Sequence, residues 1–294
     1  MKLTCHSEYG ELRSVYIKHP REAMVDQLRI ASTWEELNFL SPPDLSAAMT
    51  EYAAFESLLK ISPAEIQYLP FHKDVTMDSM YCRDASLATD FGMILCNMGK
   101  QARKPEPAAC QVAFETSGMT ILGMIEAPGT LEGGDTAWLD TTTLAVGHTY
   151  RTNAEGIRQL KALLEPRGVE VVVAHLPHYR GKSDVFHLMS ILSPIDRDLA
   201  VVYSPLMPIP FREYLLARGI GLVEVPDAEF DSMGCNVLAI GPRQVVVVDG
   251  NPITRSRLIQ AGCTVYEYAG GDISVKGGGG PTCLTRPLVR ALHS

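Results

Sequence analysis

One unit recurs along this chain: a helix that runs into a glycine, followed at once by a strand rich in β-branched residues. Residues 160–168, ending at Gly168, lead into a strand at 169–174. Residues 214–219, ending at Gly219, lead into 220–226, and residues 256–262, ending at Gly262, lead into 263–268. Glycine ends helices because it adopts the left-handed conformation without penalty, and Val- and Ile-rich runs favour a pleated, half-buried strand. In the last of these copies Asn251 and Pro252 read as the cap and the first helical position. A weaker copy pairs residues 114–118 with 119–124. Near the start, Ser41-Pro-Pro-Asp44 opens a helix in which Leu45, Ala48, Met49, Tyr52, Phe55 and Leu59 share one face, and a strand at 65–70 closes with proline. That makes five copies.

Between the copies lie pairs of short strands around polar turns, at residues 86–95, 136–146, 188–202 and 236–248. A fifth pair would begin at Cys283-Leu-Thr285 and needs a partner, which the strand predicted at residues 12–17 supplies. Self-similarity at about 45 to 50 residues means a radial or solenoidal array of one supersecondary unit. A solenoid needs distinct end caps, whereas here the last unit is completed by the first strand. The expectation is therefore an α/β fold: a five-bladed, pseudo-symmetric α/β propeller built from ββαβ units, with residues 1–294 as a single catalytic domain. The plainer alternative is an open α/β sheet.

In such a ring the loops entering each strand pair converge at one end of the axis. They read Asp78-Ser-Met-Tyr-Cys-Arg-Asp84, Leu131-Glu-Gly-Gly-Asp135, Asp184-Val-Phe-His187, Asp231-Ser-Met-Gly-Cys-Asn236 and Gly277-Gly-Gly-Gly-Pro-Thr-Cys283. A thiol, an imidazole and carboxylates would then meet: Cys283, His187, Glu132, Asp84 and Asp78. Each has a plainer explanation taken singly. Asp84 could pair locally with Arg83, Glu132 could be a turn residue, and His187 could be a satisfied core histidine. Their equivalent places in a repeat favour a shared function. The glycine run before Cys283 lets a ligand approach the backbone; a phosphate loop of the GxxxxGK[ST] type is absent.

The balance of 26 basic against 34 acidic residues, net -8, holds no basic block that would track nucleic acid, and suits a small cationic partner. No apolar run approaches the roughly 20 residues that span a bilayer, and the N-terminal residues do not form a signal peptide, so a cytoplasmic protein is expected. Seven scattered cysteines without a CxxC pair argue against disulfides or a zinc ribbon, and His175-Leu-Pro-His178 reads as loop. The oligomeric state stays open, a homo-oligomer included, and residues 20–44 are a candidate lid.

Six motifs in register over about residues 78 to 288 carry a resemblance. They are Tyr81-Cys-Arg-Asp84, Met98-Gly-Lys-Gln-Ala-Arg103-Lys-Pro-Glu106, Leu131-Glu-Gly-Gly-Asp135, Gly147-His-Thr-Tyr-Arg151-Thr-Asn153, Phe186-His-Leu188 and Gly-Gly-Pro-Thr-Cys283. Together they resemble the guanidino-group-modifying enzymes, which include arginine deiminase, dimethylarginine dimethylaminohydrolase and the amidinotransferases. The resemblance implies the five-bladed propeller reached above and a covalent thiol mechanism with no metal and no organic cofactor. It implies Cys283 as nucleophile, His187 as acid and base, and Glu132 as the catalytic carboxylate that holds the substrate nitrogens and steadies the histidine, while Asp78 and Asp84 are placed to hold a guanidinium fork, for which carboxylates are natural partners. It further implies that Arg103 and Arg151 clamp an α-carboxylate. Arginine deiminases follow the histidine with Leu-Asp, where this chain has Leu188-Met189, and the amidinotransferases typically carry Asp where Glu132 stands. The expected activity is hydrolysis of Nω-methylated arginine to citrulline and an alkylamine. Arginine deimination is the alternative, amidino transfer a third reading, and a non-catalytic binder of cationic amino acids a reading of a different class.

Overall fold

The structure is a computed structural model and describes residues 1–293. The chain opens with β1 (Lys2–Thr4) and β2 (Glu11–Ile17), passes through α1 (Pro20–Ala23), α2 (Gln27–Thr33) and α3 (Leu45–Leu59), and reaches β3 (Glu65–Tyr68). Four copies of one pattern follow. They are β4 (Ser86–Thr89), β5 (Gly92–Leu95), α4 (Glu106–Thr116) and β6 (Ile121–Met124); β7 (Thr136–Asp140), β8 (Thr143–His148), α5 (Ala154–Leu164) and β9 (Glu170–His175); β10 (Leu192–Asp196), β11 (Leu199–Val202), α6 (Ile209–Ala217) and β12 (Gly221–Glu224); and β13 (Leu238–Gly241), β14 (Gln244–Val248), α7 (Pro252–Gln260) and β15 (Thr264–Tyr268). The last strand is β16 (Thr285–Leu292).

Each copy is a small sheet: an antiparallel pair, then a helical crossover to a third strand parallel to the second. A parallel neighbour cannot be reached by a tight turn, so the helix is the connection that geometry demands. The helices repeat the same local logic. In α5 the Asn153 side chain accepts from Gly156 N at 2.8 Å, Ile157, Leu160 and Leu164 are buried, and the chain reverses through Gly168 at φ +80°. Gly118, Gly219 and Gly262 hold the same left-handed place after the other repeat helices, at φ +73°, +74° and +84°.

Ring closure is the expected one. β16 pairs antiparallel with β2, and β2 runs parallel to β3, so the C-terminal strand completes the sheet that the N-terminal strand begins. The sheets meet around the axis through β16 beside β4, β7 beside β10, β10 beside β13 and β13 beside β2. Trp138 Nε1 of β7 donates to Ala88 O of β4 at 3.3 Å, which joins the remaining pair. Buried arginines bind the ring at its centre. Arg83 meets Glu8 at 3.1 Å and donates to Thr282 O at 2.8 Å, and Arg290 donates to Gly10 O and Ala239 O at 2.7 and 2.8 Å.

Three details differ from the sequence reading. β1 was not foreseen and adds to β16 as a fourth strand. Residues 188–190 form a short 3-10 turn, so the strand expected at 188 starts at Leu192. Pro252 does open α7, but the Asn251 side chain turns away to donate to Ser232 O and Val248 O, and the Glu229 carboxylate caps the helix from Ile253 N and Thr254 N, both at 2.7 Å. Residues 34–40 lie against the axis: Leu40 N donates to Lys276 O at 2.8 Å, and Phe39 stacks on Tyr81. Among the described residues, no helix is long and apolar enough to cross a membrane.

Candidate active site

Five loops, each entering the first strand of one sheet, bring one polar side chain apiece to the end of the axis. Asp84 precedes β4, Glu132 precedes β7, His187 precedes β10, Asn236 precedes β13 and Cys283 precedes β16. All five are buried. His187 Nε2 lies 2.7 Å from Glu132 Oε2, and its Nδ1 faces Asp84 Oδ1 at 3.9 Å. The Asp84 Oδ1 atom has no hydrogen-bond partner, so a buried carboxylate oxygen beside His187 keeps unused capacity. Asp84 pairs not with its neighbour Arg83, which is taken by Glu8, but with Arg103.

Asn236 lay in one of the aligned loops but was not singled out from the sequence. Its Nδ2 donates to Cys283 Sγ at 3.3 Å, while its Oδ1 accepts from Thr282 N at 3.0 Å and from Thr282 Oγ1 at 2.8 Å. Those two donors fix the amide orientation and aim the NH₂ group at sulfur. The equivalence of the loops was the signal that could have found it. The glycine run before Cys283 also has a different cause from the one expected. A Cβ on Gly277 would lie 1.9 Å from Tyr81 Oη, and one on Gly279 2.5 Å from the Tyr81 ring, so the run admits an aromatic side chain against the backbone.

The electrostatics follow from burial and pairing. Burial acts to lower the His187 pKa, but Asp84, Asp135 and Glu132 outweigh it and raise it to about 9. Burial acts to raise the Glu132 carboxyl, yet the His187 hydrogen bond and charge, with Arg151, hold it well below the usual carboxylate range. Burial pushes the Cys283 thiol up and Asp84 adds to that, while the Asn236 amide opposes it. Asp135, pushed up to about 6 by burial, accepts from Leu188 N at 2.9 Å and Thr149 Oγ1 at 2.7 Å and so fixes the turn that carries His187.

Three of the residues expected to hold substrate already have protein partners. Asp78 Oδ2 lies 2.7 Å from Lys100 Nζ rather than facing open space. Arg103 is committed to Asp84, to both oxygens of Glu106 at 2.9 and 2.8 Å, and to Tyr81 O at 2.8 Å, which braces Asp84 and leaves little of the guanidinium for a carboxylate clamp. Arg151 is more loosely held, with Glu132 oxygens at 3.4 and 3.5 Å and Asp184 O at 3.3 Å. Asp84, Glu132 and His187 have one ligand atom each within 4.8 Å of the others and could hold a metal. The proton that the carboxylates keep on His187 up to about pH 9 would have to leave first.

Cys283 lines two spaces. A bay of about 10 Å³ is bounded by Asp78, Asp84, Lys100, Arg103 and Arg151. A cavity of about 460 Å³ lies beside it and is lined, with Cys283, by His187, Met189, Asn236, Tyr179, Asp184 and Phe230.

A buried thiol, an imidazole and carboxylates thus meet on the axis of this propeller, and the protein is a guanidino-group hydrolase. The chain belongs to the N,N-dimethylarginine dimethylhydrolase family: residues 43–290 match the model described as "N,N dimethylarginine dimethylhydrolase, eukaryotic". It is 26% identical over 274 residues to the N(G),N(G)-dimethylarginine dimethylaminohydrolase of Pseudomonas aeruginosa, covering 93% of this chain and 98% of that protein. It is 26% identical over 264 residues to the arginine deiminase of Listeria welshimeri, covering 75% of this chain but 64% of that longer protein. The fold is that of the Pseudomonas aeruginosa dimethylarginine dimethylaminohydrolase solved in complex with citrulline, with a TM-score of 0.76 at 22% identity over 95% of this chain and 100% of that one.

Proposed function

We propose that the enzyme hydrolyses the guanidino group of Nω-methylated arginine or a close analogue, releasing an alkylamine and a ureido product. The observation that carries the alkylated substrate is Met189. It follows the His187-Leu188 pair and lines the same 460 Å³ cavity as Cys283 and His187, so at this position the departing nitrogen meets an apolar side chain and not a carboxylate that would grip a bare NH₂.

In the proposed reaction Asp84 and Glu132 hold the planar cation. Its charge offsets the carboxylate that raises the thiol, so the Cys283 proton is lost to solvent once substrate is bound. The thiolate attacks the guanidino carbon, and His187, still protonated, gives its proton to the departing nitrogen as the C–N bond breaks. This leaves a cationic thiouronium on Cys283. Neutral His187 then takes a proton from the attacking water. The C–S bond breaks, and the ureido oxygen derives from that water. Glu132 steadies the imidazolium each time it forms.

The test is to incubate the protein with arginine, monomethylarginine, dimethylarginine and agmatine and to measure ureido product and released amine. Of these four compounds a methylated arginine is expected to be turned over fastest, with methylamine or dimethylamine as the second product. Ammonia released from arginine alone would make the enzyme a deiminase, and no turnover of any guanidine would overturn the hydrolase reading.

A further inference from the structure

The reaction outlined above has no use for Lys100, yet the Lys100 ammonium occupies the bay. Its Nζ lies 2.7 Å from Asp78 Oδ2 and donates to Leu37 O at 2.7 Å. Its backbone N donates to Glu132 Oε1 at 3.0 Å, which ties the residue to the carboxylate that holds His187. The lysine side chain is 12% exposed and that of Asp78 5%. A carboxylate and a backbone carbonyl at hydrogen-bond distance from a primary ammonium are what a protein would use to recognise the α-ammonium group of an amino acid. Here the protein's own chain supplies the ammonium, and the space left in the bay is about 10 Å³.

The other cations of the bay divide the remaining work. Arg103 is taken by Asp84, Glu106 and Tyr81 O. Arg151, whose contacts are all 3.3 Å or longer, keeps donors for an incoming anion. A ligand carboxylate that opened this bay would meet Arg151 and Lys100, both of which line it. A ligand ammonium meets Asp78 with the Lys100 charge 2.7 Å from its Oδ2, and must either share that carboxylate or turn Lys100 out of the ion pair and of its hydrogen bond to Leu37 O. Like charges brought together in a buried site are strongly unfavourable.

We infer that Lys100 is a built-in stand-in for the α-ammonium group, and that the preferred substrate carries a carboxylate without a neighbouring ammonium at its non-reacting end. Its class is an Nω-alkylated ω-guanidino acid rather than an α-amino acid. The inference rests on the guanidine reading of the site and concerns only the far end of the substrate.

The test compares kcat/KM for dimethylarginine, arginine and the des-amino analogue of each, in the wild-type protein and in Lys100→Met, which keeps a long unbranched side chain and removes the charge. The wild type is expected to favour each des-amino compound by about tenfold or more, and Lys100→Met to move that ratio toward the amino acids by a similar factor. Wild-type preference for the amino acids, or the same ratio in both proteins, overturns the inference and leaves guanidine hydrolysis standing. If none of the four compounds is turned over, the guanidine reading fails. Calorimetric binding to Cys283→Ser, with and without Lys100→Met, then decides the bay alone. A des-amino preference that depends on Lys100 supports the inference, and equal or absent binding overturns it.

Discussion

Replacing Cys283 by serine is expected to lower kcat by roughly 10⁴-fold or more on every guanidine while substrate binding stays measurable. The substitution keeps the size of the side chain and a polar atom that the Asn236 amide can still meet, so the loop and its contacts to Thr282 are retained. What is lost is the nucleophile. A thiol raised by burial and by Asp84 can still be brought to thiolate by a neighbouring cation and an amide donor; a serine hydroxyl cannot reach alkoxide by the same means. Steady-state turnover and calorimetric binding of dimethylarginine to the variant check both halves of the expectation. Turnover within about tenfold of wild type would remove the thiol from the chemistry.

Glu132→Gln is expected to lower kcat by about 10²- to 10⁴-fold, the range of a general acid–base contribution, and to change the pH profile. Glutamine preserves the shape of a fully buried side chain and can still accept from Lys100 N, but the charge beside His187 is gone. In the wild type, imidazolium persists up to about pH 9, so activity that depends on it falls as pH rises through that value. In the variant His187 loses its 2.7 Å carboxylate partner and releases its proton at lower pH, so the alkaline fall begins earlier. Arg151 also loses its counter-charge, which should disturb the substrate's other end and raise KM. The measurement is kcat against pH from 6 to 10. An unshifted alkaline limb would mean that Glu132 does not set the protonation of His187.

The ring was legible in the sequence because its evidence is local and repeated. Gly168, Gly219 and Gly262 each mark a helix end by the same left-handed turn, and Leu160 and Leu164 show the spacing of a buried face. Ring closure was legible because β16 lacked a partner that only β2 could supply. β1 was not: a three-residue strand added to an edge has no periodicity to read. In the site, placement was legible and pairing was not. Asp84, Glu132, His187 and Cys283 sit at equivalent points of a repeat, and the fold brings them together. Whether a charged group stands free is decided by tertiary neighbours. Asp78 meets Lys100, Asp84 meets Arg103 in place of the adjacent Arg83, and Arg103 is held by Glu106 three residues on. Asn236 escaped notice because an uncharged amide in a loop carries no chemical signal until its NH₂ group is seen at 3.3 Å from sulfur.

The covalent step can be observed directly. Wild-type protein mixed with saturating dimethylarginine, quenched in acid during turnover and digested, should yield the peptide containing Cys283 with the amidino-substrate mass added, an adduct absent before mixing and absent in Cys283→Ser. Steady turnover with no adduct on Cys283 at any quench time, or an adduct on another residue, would contradict attack by this thiol.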